Sequence, residues 1–167
     1  MKILVINPPA SDRHDISSRT EDLSFPLGLA YIVSVAKKCL DEKSINLIDV
    51  NLHRNLLNLD CLKMELRNYD EPTIVFIGGM STVYYWIKNI CKVVKNVFPK
   101  TIIICGGSVT VNPEFLLKNT DVDIAVLGEG EKTVGELLKA IKDKNGLHHL
   151  EGICYRKGSA IIKNDPR

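Results

Sequence analysis

The sequence predicts a three-layer, doubly wound α/β fold built on a mostly parallel sheet with a C-terminal hairpin. Two observations predict it. Short apolar, β-branched runs alternate with longer stretches of helical period, the signature of βαβ units. The closing residues then switch to two short runs around a glycine turn, which reads as a hairpin. The strands fall at Lys2–Ile6, Ile45–Asp49, Thr73–Ile77, Thr101–Cys105 and Ile124–Leu127. All five read as apolar throughout, as expected of strands covered on both faces. The first helix, Leu27–Leu40, follows Pro26, which suits a first turn. A second spans about Asn55 to Asn68, with a weaker pattern. Ile87, Ile90, Cys91, Val94 and Val97 mark one face of a third. Asn112-Pro113 reads as a cap and first-turn proline of a fourth. Thr133-Val134-Gly135-Glu136 reads as a capping box leading into Leu137, Leu138 and Ile141. Gly152–Arg156, the Lys157-Gly158-Ser159 turn and Ala160–Lys163 form the hairpin.

Composition narrows the function. The 167 residues leave room for one domain of the usual roughly 100–200 residues. A hydrophobic content of 45% with 25% charged residues is that of a globular chain. Lys+Arg 22 against Asp+Glu 20 leaves a net charge of +2, and the charges are interspersed, so no basic stripe offers itself to nucleic acid. The longest apolar runs, Leu27–Ala36 and Thr101–Cys105, fall well short of the ~20 residues that cross a bilayer. Met1-Lys2 runs straight into a strand, with no signal-peptide pattern. The expectation is a cytoplasmic protein without a membrane partner. Cys39, Cys61, Cys91, Cys105 and Cys154 are odd in number and widely spaced, which suits reduced thiols better than a zinc or iron–sulfur site.

In an open parallel sheet, ligands bind at the carboxyl ends of the strands. Four unusual loops follow strand ends here: Asn7-Pro8-Pro9, Gly78-Gly79-Met80-Ser81, Gly106-Gly107-Ser108 and Gly128-Glu129-Gly130-Glu131. Glycines there either make tight turns or let a flat ligand approach the backbone. The first turn lacks the G-x-G-x-x-G of dinucleotide sites, and no Walker-type Gly-Lys-Ser/Thr occurs, so a phosphate chain gripped by a glycine loop is not expected. No nucleophile, base and metal set is assembled, so no catalytic residue is assigned.

Taken in order, Asn7-Pro8-Pro9, Phe25-Pro26-Leu27-Gly28-Leu29-Ala30-Tyr31, Gly106-Gly107, Asn112-Pro113-Glu114, the stretch from Asp123 through Gly128-Glu129-Gly130-Glu131 to Thr133, and Gly152–Arg156 span the chain. In this order and spacing the sequence resembles the cobalamin (B12)-binding domain found at the N-terminus of cobalamin-dependent radical SAM enzymes. The resemblance implies a flavodoxin-like or Rossmann-like sheet over residues 1–147, and a hairpin or linker over 148–167 leading toward a radical SAM barrel in cis or in trans. That barrel would carry the Cys-x3-Cys-x2-Cys triplet for a 4Fe-4S cluster and S-adenosylmethionine; no such triplet occurs in these residues. By itself the chain is expected to catalyse nothing. The parent enzyme would be a methyltransferase, cyclase or oxidoreductase.

By the same resemblance, the corrin lies across the carboxyl edge and the nucleotide tail sinks between a strand and a helix. The cofactor-binding residues would be Asn7, Pro8, Pro9, Gly79, Ser81, Thr82, Gly106, Gly107, Ser108, Gly128 and Glu129. Ser81-Thr82-Val83 is similar to the Ser-x-Leu element of the wider group, with valine for leucine; Ser81 also suits a helix N-cap. Asp12-Arg13-His14-Asp15-Ile16-Ser17 nearly matches the Asp-x-His-x-x-Gly that supplies a lower cobalt ligand, with Ser17 in place of glycine. His14 is therefore either that metal ligand, oriented by Asp12, or a residue of a solvated loop. Tyr84, Tyr85 and Trp86 either stack on the cofactor or serve packing or a homodimer contact. His53, His148 and His149 read as surface residues. Two other functions remain: a degenerate domain of this type, without cofactor, serving substrate recognition or protein interaction, and a small stand-alone enzyme or binder of another flat ligand. A degenerate domain would fill the groove above Gly106-Gly107 with Val109, Val111 and Tyr84; a binder would leave it open.

Overall fold

The computed structural model describes residues 1–9, 27–39 and 45–167. Seven strands form one sheet: β1 Ile3–Asn7, β2 Ile45–Asp49, β3 Ile74–Gly78, β4 Ile102–Gly106, β5 Ile124–Val126, β6 Ile153–Lys157 and β7 Ala160–Lys163. Their order is β2-β1-β3-β4-β5-β6-β7. The pairs from β2 to β5 are parallel, whereas β6 and β7 run antiparallel and extend the sheet as the expected hairpin. Helices α1 Leu27–Cys39 and α5 Gly130–Lys142 pack on one face. On the other lie α2 Leu59–Leu66, α3 Tyr84–Val97 and α4 Pro113–Asn119.

Each strand of the central sheet sends alternate residues into the two layers. Val75, Ile77, Ile103 and Cys105 face the α2–α4 side; Ile74, Phe76 and Ile104 face α1 and α5. This two-sided burial explains why the central strands read as continuous apolar runs. β2 departs from the expectation: it is an edge strand, and Asn46 and Leu47 are exposed. The second helix is also shorter than its sequence pattern suggested. Asn58 adopts an extended conformation and its side chain accepts from the amides of Asp60 and Cys61, so a 3-10 turn at Arg54–Leu57 is split from α2. At α4 the predicted cap is present, with Asn112 Oδ1 accepting from Phe115 N at 3.1 Å and Pro113 in the first turn.

The capping box at Thr133 is a correction. α5 begins three residues earlier, at Gly130, and Thr133 is fully buried inside the helix. Gly130 opens the helix beside α1 and β5: a Cβ there would make ordinary contacts with Ile32 at 3.4 Å and Val126 at 3.5 Å. At the far end of the sheet Arg156 donates Nε to Val122 O at 3.0 Å, and its Nη2 to the carbonyls of Thr120 and Leu117, holding the end of α4 against β6.

All five cysteines are free, with Cys91, Cys105 and Cys154 buried. Burial pushes the Cys105 thiol from 9.0 up to about 12 and also raises Cys91 and Cys154. A thiolate is the reactive form, so a thiol reagent near neutral pH is expected to modify half-buried Cys39 and Cys61 in the native protein and the other three only after unfolding; peptide mapping checks this. The sign of the pH effect follows. Cys105 titrates higher folded than unfolded, so its contribution to stability is complete below pH 9.0 and is lost as pH rises toward about 12.

Candidate functional site

The carboxyl ends of β1, β3, β4 and β5 bring the four unusual loops to one edge of the sheet. Asn7 closes β1 and donates Nδ2 to Asp49 Oδ1 at 3.0 Å, and the same oxygen accepts from Asn51 N at 2.9 Å. The β3 and β4 loops are stitched together through backbone. Gly79 N donates to Gly106 O and Val109 N donates to Gly79 O, both at 3.2 Å. Ser81 N donates to Ser108 Oγ at 3.2 Å. Thr110 Oγ1 lies 2.8 Å from Gly107 O and 3.0 Å from Val126 O, tying β4's loop to β5. These bonds tie the β3, β4 and β5 loops to one another.

Between this edge and helices α1 and α5 lies a cavity of about 540 Å³. Phe76, Ile104 and Val126 form its sheet wall, and Leu29, Ile32 and Val134 its helix wall. Two residues further along β3 and β4, on the same face, come Gly78 and Gly106, and Gly128, with φ +65°, follows β5 in the loop. The cavity exists because this level of the sheet has no side chains. A Cβ on Gly106 or on Gly128 would meet nothing within 4 Å. The mouth is polar, with Glu129 exposed and Glu131 half-buried in the first turn of α5, where carboxylates suit the helix dipole. Among the described residues lining the cavity, these are the charged ones.

The neighbouring glycines differ in role. Gly107 has φ +89°, and a Cβ there would lie 2.6 Å from Gly79 O, so it makes the close backbone crossing of the two loops. Gly106 leaves the slot open. Of the candidate residues, Asn7, Pro8 and Pro9 line the cavity, as do Gly79, Gly106, Gly107 and Ser108, and then Gly128 and Glu129. Ser81 and Thr82 do not; they are exposed in a 3-10 turn. Nor does Ser81 cap α3, which starts at Tyr84 with no side-chain cap bond. His14 and its loop lie outside the described residues.

Trp86 is core, with its Nε1 buried and without a hydrogen-bond partner among the described residues. Tyr84 packs its ring 5.7 Å from that of Phe115, and burial raises its phenol pKa. Tyr85 is exposed, as are His53, His148 and His149. The residues that would have filled the groove stand elsewhere: Val109 is buried on the opposite face and Val111 is 84% exposed. The apolar walls were not among the candidates. Their signal is the spacing Phe76-x-Gly78 and Ile104-x-Gly106, in which a bulky residue and a glycine share one face of a strand.

A family model described as the B12 binding domain matches residues 14–138. Over 100% of its length the chain is 30% identical to an uncharacterized methyltransferase of Pyrococcus horikoshii, covering 35% of that protein. Over 99% it is 27% identical to an anaerobic magnesium-protoporphyrin IX monomethyl ester cyclase of Synechocystis, covering 33% of it. The chain thus spans about a third of the length of these relatives. Among solved structures, the radical S-adenosylmethionine methyltransferase TsrM of Kitasatospora setae, with cobalamin and a [4Fe-4S] cluster bound, superposes with a TM-score of 0.78 at 16% identity, over 99% of this chain and 29% of that one. The cobalamin-dependent radical enzyme OxsB, with aqua-cobalamin and S-adenosylmethionine bound, gives 0.66 at 19% identity, over 99% of this chain and 22% of that one. With the family model covering most of the chain and the sheet, helices and glycine-lined edge arranged as described, the chain belongs to the B12-binding domain family.

Proposed function

We propose that this chain is the cobalamin-holding module of a larger radical SAM enzyme. The observation that carries the reading is the open slot above Gly106, where a domain that had lost its cofactor would place side chains. The volume suits a pocket for a small-molecule group, which typically runs roughly 300–1,000 Å³. Phe76, Ile104, Val126, Ile32 and Val134 would pack on the flat nucleotide tail, and the glycines at the rim would let the corrin lie on the loops. Two carboxylates at the mouth, with no basic side chain among the described lining residues, disfavour a flat anionic ligand such as a flavin nucleotide. When bound, cobalamin would carry a methyl group or tune a radical reaction begun elsewhere from S-adenosylmethionine.

The rest of the parent enzyme is proposed from the relatives. A barrel with the 4Fe-4S cluster and S-adenosylmethionine would act in cis or in trans, with residues 148–167 leading toward it from a domain over 1–147. The methyltransferase and cyclase names of the relatives give the classes of reaction. No helix among the described residues is long and apolar enough to cross a membrane. The reduced, buried thiols suit a cytoplasmic protein.

A visible-spectrum titration with hydroxocobalamin and methylcobalamin tests the reading. Saturation at micromolar concentration, about −8 kcal/mol, is expected. No spectral change as the ligand approaches about a millimolar would overturn cobalamin binding by this domain. His14→Ala separates the two readings of that residue: a cobalt ligand alters the bound spectrum when removed, whereas a solvated loop residue does not.

A further inference from the structure

The slot's chemistry changes with depth. Its polar lining is Asn7, whose Nδ2 is engaged with Asp49, together with Asn51, Ser108, Glu129 and Glu131; its apolar walls are Phe76, Ile104, Val126 and Val134, each no more than 4% exposed, with Ile32 across from them. No inner-wall side chain carries a hydrogen-bonding group. Two carbonyls beside these walls are engaged as well: Gly106 O accepts from Gly79 N, and Val126 O accepts from Thr110 Oγ1. A flat ring entering to this depth leaves water and gains dispersion contacts, but any amine or ring nitrogen on its edge loses its partners.

We infer that the slot selects cobamides by the lower base of the tail, taking a benzimidazole, whose outer edge carries only C–H or methyl groups, in preference to a purine, whose edge carries an amine and ring nitrogens. This inference rests on the cobalamin reading above and concerns only the tail. A buried polar group left unpaired weakens binding by about tenfold to a hundredfold, and that factor is the expected discrimination.

Free bases test the slot without interference from cobalt, which binds the two bases with different strengths. Methyl-labelled protein is titrated by NMR with 5,6-dimethylbenzimidazole and, separately, with adenine, following the methyl groups of Ile32, Ile104, Val126 and Val134. The expected result is saturable shifts at these methyls with the benzimidazole, and at least tenfold weaker shifts with adenine. Equal responses to the two bases, shifts confined to other residues, or no response up to about ten millimolar would overturn the inference. The hydroxocobalamin titration on the same preparation keeps the two readings apart. A cobalamin response with no benzimidazole response leaves the cofactor role standing and removes the tail from the slot. Absence of both removes both. Val126→Thr, which places a hydroxyl in the wall at nearly constant volume, is expected to narrow the benzimidazole-to-adenine ratio; an unchanged ratio in the folded variant would overturn the assignment to this wall.

Discussion

Gly106→Leu is expected to lower hydroxocobalamin affinity by at least a hundredfold, about 2.7 kcal/mol, while leaving the melting temperature unchanged or slightly raised. Both halves follow from the same geometry. A Cβ at this position points into the slot and meets nothing within 4 Å, so the larger side chain finds room in the apoprotein. It then occupies the space between Ile104, Val126 and Ile32 that the flat tail needs. The backbone is not in the left-handed region, so a side chain adds no strain, and replacing glycine at such a site reduces the freedom of the unfolded chain by roughly 0.4–1 kcal/mol. Gly106→Ala should show the same pattern in smaller measure. Thermal unfolding and the visible titration on the same samples check the prediction, and tight binding by folded Gly106→Leu would move the tail out of this slot.

That separation of binding from stability is a property of one strand face, and it explains what was legible in the sequence. The five parallel strands and the hairpin were visible because their apolar runs are short and bounded by turn residues. Their ends were less so: β1, β3 and β4 each run one residue beyond the apolar run, into Asn7, Gly78 and Gly106, because backbone pairing continues where side-chain hydrophobicity stops. The loops of the site were legible for the same reason, as glycine and proline clusters after strands. Its walls were not. Phe76, Ile104 and Val126 sit in strands buried on both faces, so nothing in their local pattern distinguishes the side facing the slot from the side facing α3. The capping rule points to the wrong start of α5 because Thr133 and Glu136 satisfy it locally, whereas Thr133 is fully buried within the helix, a burial set by packing that no local rule registers.

Gly107→Ala, one residue on from the slot glycine, should behave in the opposite way, with stability and binding falling together. Two effects add. At φ +89° an L side chain is strained, by about 1–3 kcal/mol in such regions. Its Cβ would also lie 2.6 Å from Gly79 O and 3.1 Å from Gly79 N, backbone atoms that cannot swing aside. Relieving the clash must part the β3 and β4 loops, which stretches the Gly79–Gly106 and Val109–Gly79 hydrogen bonds and shifts the rim on which the corrin would rest. For a chain of this size each kcal/mol shifts the melting temperature by about 2–4 °C, so a fall of roughly 5–10 °C is expected. Gly158→Ala supplies the control. That glycine also has positive φ, at +62°, with open space around it, so it reports the general cost of a side chain at positive φ, without the clash and without the extended ψ of −175° that Gly107 adopts. A larger drop for Gly107→Ala than for Gly158→Ala, with cobalamin affinity lost only in the former, is expected from the strain and the clash together, and the loss of affinity is the part that assigns Gly107 to the crossing of the loops. Equal drops would mean that the contact with Gly79 gives way at no energetic cost, and the preformed edge would then be softer than its hydrogen bonds imply.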